Sequence, residues 1–131
     1  MKILSIGCGY IGSVLAKELV NNLDFEKLII CDSTKEKIEE TAKKLGETVS
    51  PIQLDLSNSS NLLEIIDDVD LVIGLSPGRL GFNVMKACVK KNKNLIDLSF
   101  MEEDPFLFQQ AALEKKIIII PDCGVAPGLS N

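Results

Sequence analysis

The chain of 131 residues has no histidine, and its four cysteines, Cys8, Cys31, Cys88 and Cys123, form no CxxC pair. Zinc sites are built from imidazoles and clustered thiolates, so no metal centre is expected. Each cysteine lies in an apolar stretch, the setting of a buried, reduced thiol in a cytoplasmic protein. Long apolar runs are missing too. Gly7, Gly9 and Gly12 interrupt the run at the N-terminus, and nothing approaches the ~18 residues of a membrane span or a signal-peptide pattern. Positive charge is scarce: the formal net charge is −5. The cluster Lys90, Lys91 and Lys93 reads as a solvated helix end. Nucleic acid is therefore not expected as a partner, because phosphate-backbone binding needs clustered Lys and Arg.

What is present is an ordinary globular composition, 46% hydrophobic and 25% charged, in a length suited to one compact domain over 1–131. Apolar runs alternate with helical spacing six times. Strands are expected at Lys2 to Ile6, Leu28 to Cys31, Val49 to Leu54, Asp70 to Leu75, Asn94 to Leu98 and Ile117 to Ile120. Pro51 demotes the third of these to a sheet edge. Between them, apolar residues recur at helical intervals: Ile11, Val14, Leu15 and Leu19; Ile38, Ala42 and Leu45; Leu62, Ile65, Ile66 and Val69; Phe82, Met85, Cys88 and Val89. Ser33-x-x-Glu36 reads as a capping box for the second helix, with Gly46 past its end. Asp104-Pro105 reads as the cap and first position of a fifth. Strands that are apolar throughout need cover on both faces. Right-handed crossovers then leave an α/β fold, a doubly wound parallel six-stranded sheet of order 3-2-1-4-5-6 in a three-layer αβα sandwich.

Gly7-Cys8-Gly9-Tyr10-Ile11-Gly12 is a GxGxxG loop directly after the first strand and opening the first helix. Gly7 permits the turn, Gly9 lets backbone approach a pyrophosphate, and Gly12 lets the helix pack on the sheet, with free helix N–H groups facing the phosphates. Asp32 ends the second strand, where a carboxylate accepts from both hydroxyls of an adenine ribose and repels a 2′-phosphate. NAD is therefore expected ahead of NADP, although Ser33, Thr34 and Lys35 could serve a 2′-phosphate. Asp55 and Leu56 end the third strand at the adenine edge. Ser76, Pro77 and Gly78 follow the fourth strand across the switch point, flanking the central phosphates and nicotinamide ribose.

The stretches LVIGLSPGRLGFNVMKACVKK (71–91), NLIDLSFMEEDP (94–105) and PDCGVAPGLSN (121–131) resemble the saccharopine dehydrogenase family, and within it the lysine 6-dehydrogenase type. The resemblance implies an oxidoreductase moving hydride between an amino-acid C–N bond and a nicotinamide. It places Gly7, Gly9, Tyr10, Ile11 and Gly12 on the pyrophosphate and Asp32 on the ribose. Asp97, Ser99 and Phe100 lie further along the cleft, and Gly124 to Gly128 near the nicotinamide. Saccharopine reductases read GLDPG in the last motif, with an acid where this chain has Ala126, which favours the lysine-dehydrogenase branch. The family also carries a second domain beyond this point, holding most of the substrate pocket and a homodimer interface. Exposed apolar surface near Val125 to Leu129 is expected on that account.

No catalytic base can be named. Asp97 and Asp122 end strands near the cleft, but each reads better as a surface or capping acid. A stand-alone nucleotide-sensing module of the same fold is a second reading, distinguished by binding without turnover. Two other uses of the fold fail on residues. The Tyr-x-x-x-Lys pair of short-chain reductases is missing, since Val14 stands four positions after the single tyrosine, Tyr10. The acid that methyltransferases carry before their glycine loop is replaced by Ser5-Ile6.

Overall fold

A computed structural model describes residues 1–124. Six parallel strands form one sheet in the order β3-β2-β1-β4-β5-β6. They are β1 (Lys2–Ile6), β2 (Lys27–Asp32), β3 (Val49–Gln53), β4 (Leu71–Gly74), β5 (Asn94–Asp97) and β6 (Ile119–Ile120). The helices between them are α1 (Tyr10–Asn22), α2 (Lys35–Leu45), α3 (Ser59–Asp67), α4 (Gly78–Lys91) and α5 (Gln109–Lys115).

Side-chain alternation along the central strands explains the layering. Ile3, Leu28, Ile30 and Ile73 point to one face and pack with Ala16 and Leu19 of α1 and Ile38 and Ala42 of α2. Leu4, Ile6, Ile29, Cys31 and Val72 point to the other, against Leu62 and Ile66 of α3 and Val84, Met85 and Cys88 of α4. Each such buried aliphatic side chain stabilises the fold by roughly 1.5–3 kcal/mol. β1, paired on both sides, is the axis of the sheet, and the order reverses there to open a crevice at the carboxyl ends.

Pro51 sits on the edge strand as expected, opposite Ile30. The bonds from Leu28 N–H to Thr48 O and from Leu54 N–H to Asp32 O set the parity of this ladder. Even-numbered residues of β3 bond inward, and Pro51 turns its nitrogen outward, so it costs no sheet hydrogen bond.

Four local expectations need correction. The capping box at Ser33 does not form: Thr34 is the N-cap of α2 and makes no side-chain cap bond. The Asp32 carboxylate takes the Thr34 N–H instead, and the Ser33 hydroxyl donates to the same carboxylate. Asp104 does cap through Phe106 N–H, with Pro105 behind it, but what it opens is a 3₁₀ turn over Pro105–Phe108, leaving α5 short. β6 is reduced to two residues. Ile118, just before it, is 64% exposed and Ile120 46%, because β6 is an edge strand, paired only with β5 among the described residues. Cys123 is exposed, whereas Cys8, Cys31 and Cys88 are buried as expected. The lysine cluster at the end of α4 is partly paired, through Lys91 to Asp67 and Lys93 to the Asp67 carbonyl.

Candidate functional site

The crevice at the carboxyl ends of β1, β2 and β4 consists of two adjoining hollows of about 590 Å³ and about 470 Å³. Both are walled by Gly7, Gly9, Ser76 and Pro77. The first also contains Asp32, Ser33, Asp55, Leu56 and Arg79. The second contains Tyr10, Ile11, Gly12, Gly78, Ser99 and Phe100. In a doubly wound sheet the strand-2 acid faces the adenosine end of a dinucleotide, so the first hollow would take the adenosine half and the second the nicotinamide half, and they are named accordingly. Of the described residues expected at the cofactor, Thr34, Lys35, Asp97 and Gly124 line neither hollow, and the others line one of the two.

The glycine loop is held by contacts that only glycine permits. Gly7 has φ +105°, and a Cβ there would lie 2.8 Å from the Leu75 carbonyl. A Cβ at Gly12 would run into the Gly7 carbonyl. At Gly9 a Cβ would meet no protein atom. That position is open on the side where a ligand would approach. Helix α1 starts at Tyr10 with no side-chain cap and no acid in its first turn, which leaves N–H groups and the positive end of the helix dipole for a phosphate.

Asp32 ties the site together. Its Oδ2 accepts from Cys8 N–H at 2.8 Å, and its Oδ1 from Thr34 N–H at 3.0 Å and the Ser33 hydroxyl at 3.4 Å. Burial pushes this carboxyl up, but those N–H bonds, the Lys37 charge and the Ser33 hydroxyl outweigh it and hold it below its ordinary value. The group is an ionised acceptor at neutral pH. Asp55 folds onto Ser57 N–H at 2.9 Å, turning the chain so that Leu54 and Leu56 flank the adenosine half. Ser76 is buried, its hydroxyl has no hydrogen-bond partner among the described residues, and it lies where both halves meet. An orphaned hydroxyl, an open glycine and uncapped helix N–H groups together fit a dinucleotide.

Two features escaped the sequence reading. Arg79, the single arginine of the chain, stands in the first turn of α4 and lines the adenosine half without an ion pair among the described residues. A cation at a helix N-terminus opposes the dipole, and its rarity was the clue to notice. Asp97 is not a surface acid: it is fully buried, and its carboxyl caps the loop after β5 through the Ser99 N–H. The expectations placed on residues 125–131 lie outside the described residues. They concern Ala126, the apolar surface from Val125 to Leu129, and the stretch from Gly124 to Gly128 beyond its first residue. A separate apolar hollow of about 320 Å³ between α5 and β6, lined by Phe106, Leu113 and Ile118, has no ionisable group among its described lining residues and lies apart from this crevice.

Comparison with known proteins agrees with this geometry. Residues 3–120 match the saccharopine dehydrogenase NADP-binding domain family. An alpha-aminoadipic semialdehyde synthase of Arabidopsis thaliana is 28% identical over 71% of the chain but only 9% of its own length. A saccharopine dehydrogenase [NADP(+), L-glutamate-forming] of Saccharomyces cerevisiae is 23% identical over 98% of the chain and 28% of its own. A solved apo structure of the L-glutamate-forming saccharopine dehydrogenase from Saccharomyces cerevisiae superposes with a TM-score of 0.85 at 22% identity, covering 98% of this chain and 28% of that one. The chain thus spans less than a third of these relatives. Among the described residues no helix is long and apolar enough to cross a membrane. With a family match over almost its whole length and a crevice built to hold a nicotinamide dinucleotide, the chain belongs to the saccharopine dehydrogenase family as its cofactor-binding domain.

Proposed function

We propose that this domain binds NAD in preference to NADP, and that it serves an oxidoreductase acting on a C–N bond of an amino acid. The observation that carries the cofactor preference is Asp32. An ionised carboxylate at the end of β2 accepts from ribose hydroxyls and repels a 2′-phosphate. Of the groups that could serve a 2′-phosphate, the Ser33 hydroxyl donates to Asp32 and Lys35 pairs with Glu39 at 3.6 Å; Arg79, which shares the hollow with Asp32, is the competing cation, and the Asp32 charge is set against it. NADP in the names of the family and of the yeast relative belongs to those proteins.

Gly7, Gly9 and Gly12 would hold the pyrophosphate with the start of α1, while Ser76, Pro77 and Gly78 would flank the nicotinamide ribose. The bound nicotinamide supplies or accepts hydride; the domain's part is to orient it. Among the described residues, Tyr10 is the only ionisable side chain lining the nicotinamide half. We therefore assign positioning, not proton transfer, to the described residues. The substrate class rests on family membership, as does the homodimer. A cytoplasmic setting is supported by four free cysteines, of which Cys8, Cys31 and Cys88 are buried.

Calorimetric titration of the chain with NAD and NADP tests the proposal. Binding of NAD at least ~10-fold tighter is expected from the loss of charge-assisted bonds and added repulsion in NADP. Tighter NADP, or no binding of either, overturns it.

A further inference from the structure

Within the cofactor-binding reading, we infer that Asp97 is a positioning residue whose sealed-in carboxyl holds the Ser99–Phe100 wall of the nicotinamide half. Asp97 ends β5 with 0% exposure and does not itself line the crevice. Ser99 and Phe100, two and three residues on, do. The carboxyl reaches them through Ser99. Oδ1 accepts from Ser99 N–H at 3.0 Å, and the Ser99 hydroxyl lies 2.9 Å from Oδ1 and 2.6 Å from Oδ2. No lysine or arginine pairs with it among the described residues.

A buried carboxyl without a cation is costly, and the neighbouring strand and helix are shaped to accept this one. Gly74 is the residue in register with Asp97 on β4, and a Cβ there would stand 2.6 Å from Oδ1. A Cβ at Gly81 would collide with the Ser99 hydroxyl, and one at Gly78 with the Phe100 carbonyl. Three glycines of β4 and α4 therefore make room for three successive features of one loop. The Asp97 carbonyl also accepts from Cys123 N–H at 2.9 Å, anchoring the segment after β6 to the same point. Burial, with Asp122 adding to it, pushes the carboxyl up against the lowering effect of the Ser99 bonds.

A residue that only stabilises the fold would affect both halves of the crevice alike. A positioning residue of the nicotinamide wall separates them. The test compares the 131-residue chain with Asp97→Asn and Ser99→Ala, titrated with ADP, which reaches only the adenosine half and pyrophosphate loop, and with reduced dinucleotide followed by nicotinamide fluorescence. Ser99→Ala deletes one hydroxyl and serves where Asp97→Asn does not fold. Expected is ADP affinity within about twofold of wild type, since distant sites act independently. Dinucleotide affinity falls about fivefold on loss of a wall-holding bond, and the fluorescence gain on binding shrinks. Parallel losses for ADP and dinucleotide, or unchanged nicotinamide fluorescence, overturn the inference. Wild-type chain that binds neither ligand overturns the cofactor reading itself, which is a different result.

Discussion

Asp32→Asn keeps the shape of the side chain and removes its charge. Both carboxylate oxygens accept a backbone N–H, from Cys8 at 2.8 Å and Thr34 at 3.0 Å. An amide offers one oxygen, so either orientation leaves one of these N–H groups facing an NH₂ donor. That mismatch costs about 1–3 kcal/mol of stability. At the ribose, a bond to a charged acceptor is worth about 1.5–3 kcal/mol and one to a neutral acceptor about 0.5–1.5, so losing the charge costs roughly 10-fold in NAD affinity. NADP moves the other way. Unit charges 4 Å apart repel by about 1 kcal/mol in water and about 4 kcal/mol near a protein surface, and the variant removes that repulsion. The ratio of NAD to NADP affinity should therefore fall by about 100-fold or more, less at high salt. Calorimetry of both ligands on wild type and variant, at low and high salt, measures it. Equal losses for NAD and NADP would refute the reasoning, because they would mean that Asp32 acts on the loop alone and not on the ribose.

Three further outcomes are expected. Gly12→Ala places a methyl against the Gly7 carbonyl; it should cost about 1–3 kcal/mol by overpacking in urea unfolding and abolish measurable dinucleotide binding, and normal binding would show that α1 can shift freely. Asn58 caps α3 by accepting from Ser60 and Asn61 N–H, so Asn58→Ala should lower stability by about 1 kcal/mol without changing ligand affinity. The pH dependence of unfolding carries opposite signs from two acids. Asp97 is raised above its ordinary 3.8, so its contribution is fully present below that value and is lost as pH rises through the folded value. Asp32 is lowered, so its contribution is present above 3.8 and is lost as pH falls through its folded value. Stability of wild type relative to Asp97→Asn should accordingly decline as pH rises above 3.8, in urea titrations that hold Asp122, Cys88 and Cys123 constant; a difference that grows with pH would contradict the assignment.

The sheet order was legible because its determinants are local and repeated: apolar runs that end at glycine or a polar residue, separated by helical spacing. The glycine loop and Asp32 were legible for the same reason, since motif and context lie within one βαβ unit. What failed depends on contacts between distant segments. Ser33 has the residue type of a cap, but its hydroxyl donates to the Asp32 carboxylate, and a charged acceptor wins it from the helix start. Asp97 resembles any strand-end acid until Gly74 is seen beside it in register and Gly81 against its partner Ser99. β6 is as apolar as a central strand, yet burial needs a covering layer, and four isoleucines in a row do not reveal whether one is present.

The outward-turned nitrogen of Pro51 has a consequence for how this sheet can associate. At that position the β3 edge offers an incoming strand no donor, so a foreign chain pairing there meets a gap in its ladder. At the opposite edge Pro121 directly follows β6 and, by the parity set by the bond from Leu95 N–H to Ile118 O, it too turns its nitrogen outward. Each edge of the sheet therefore carries one proline that leaves a gap in any added ladder.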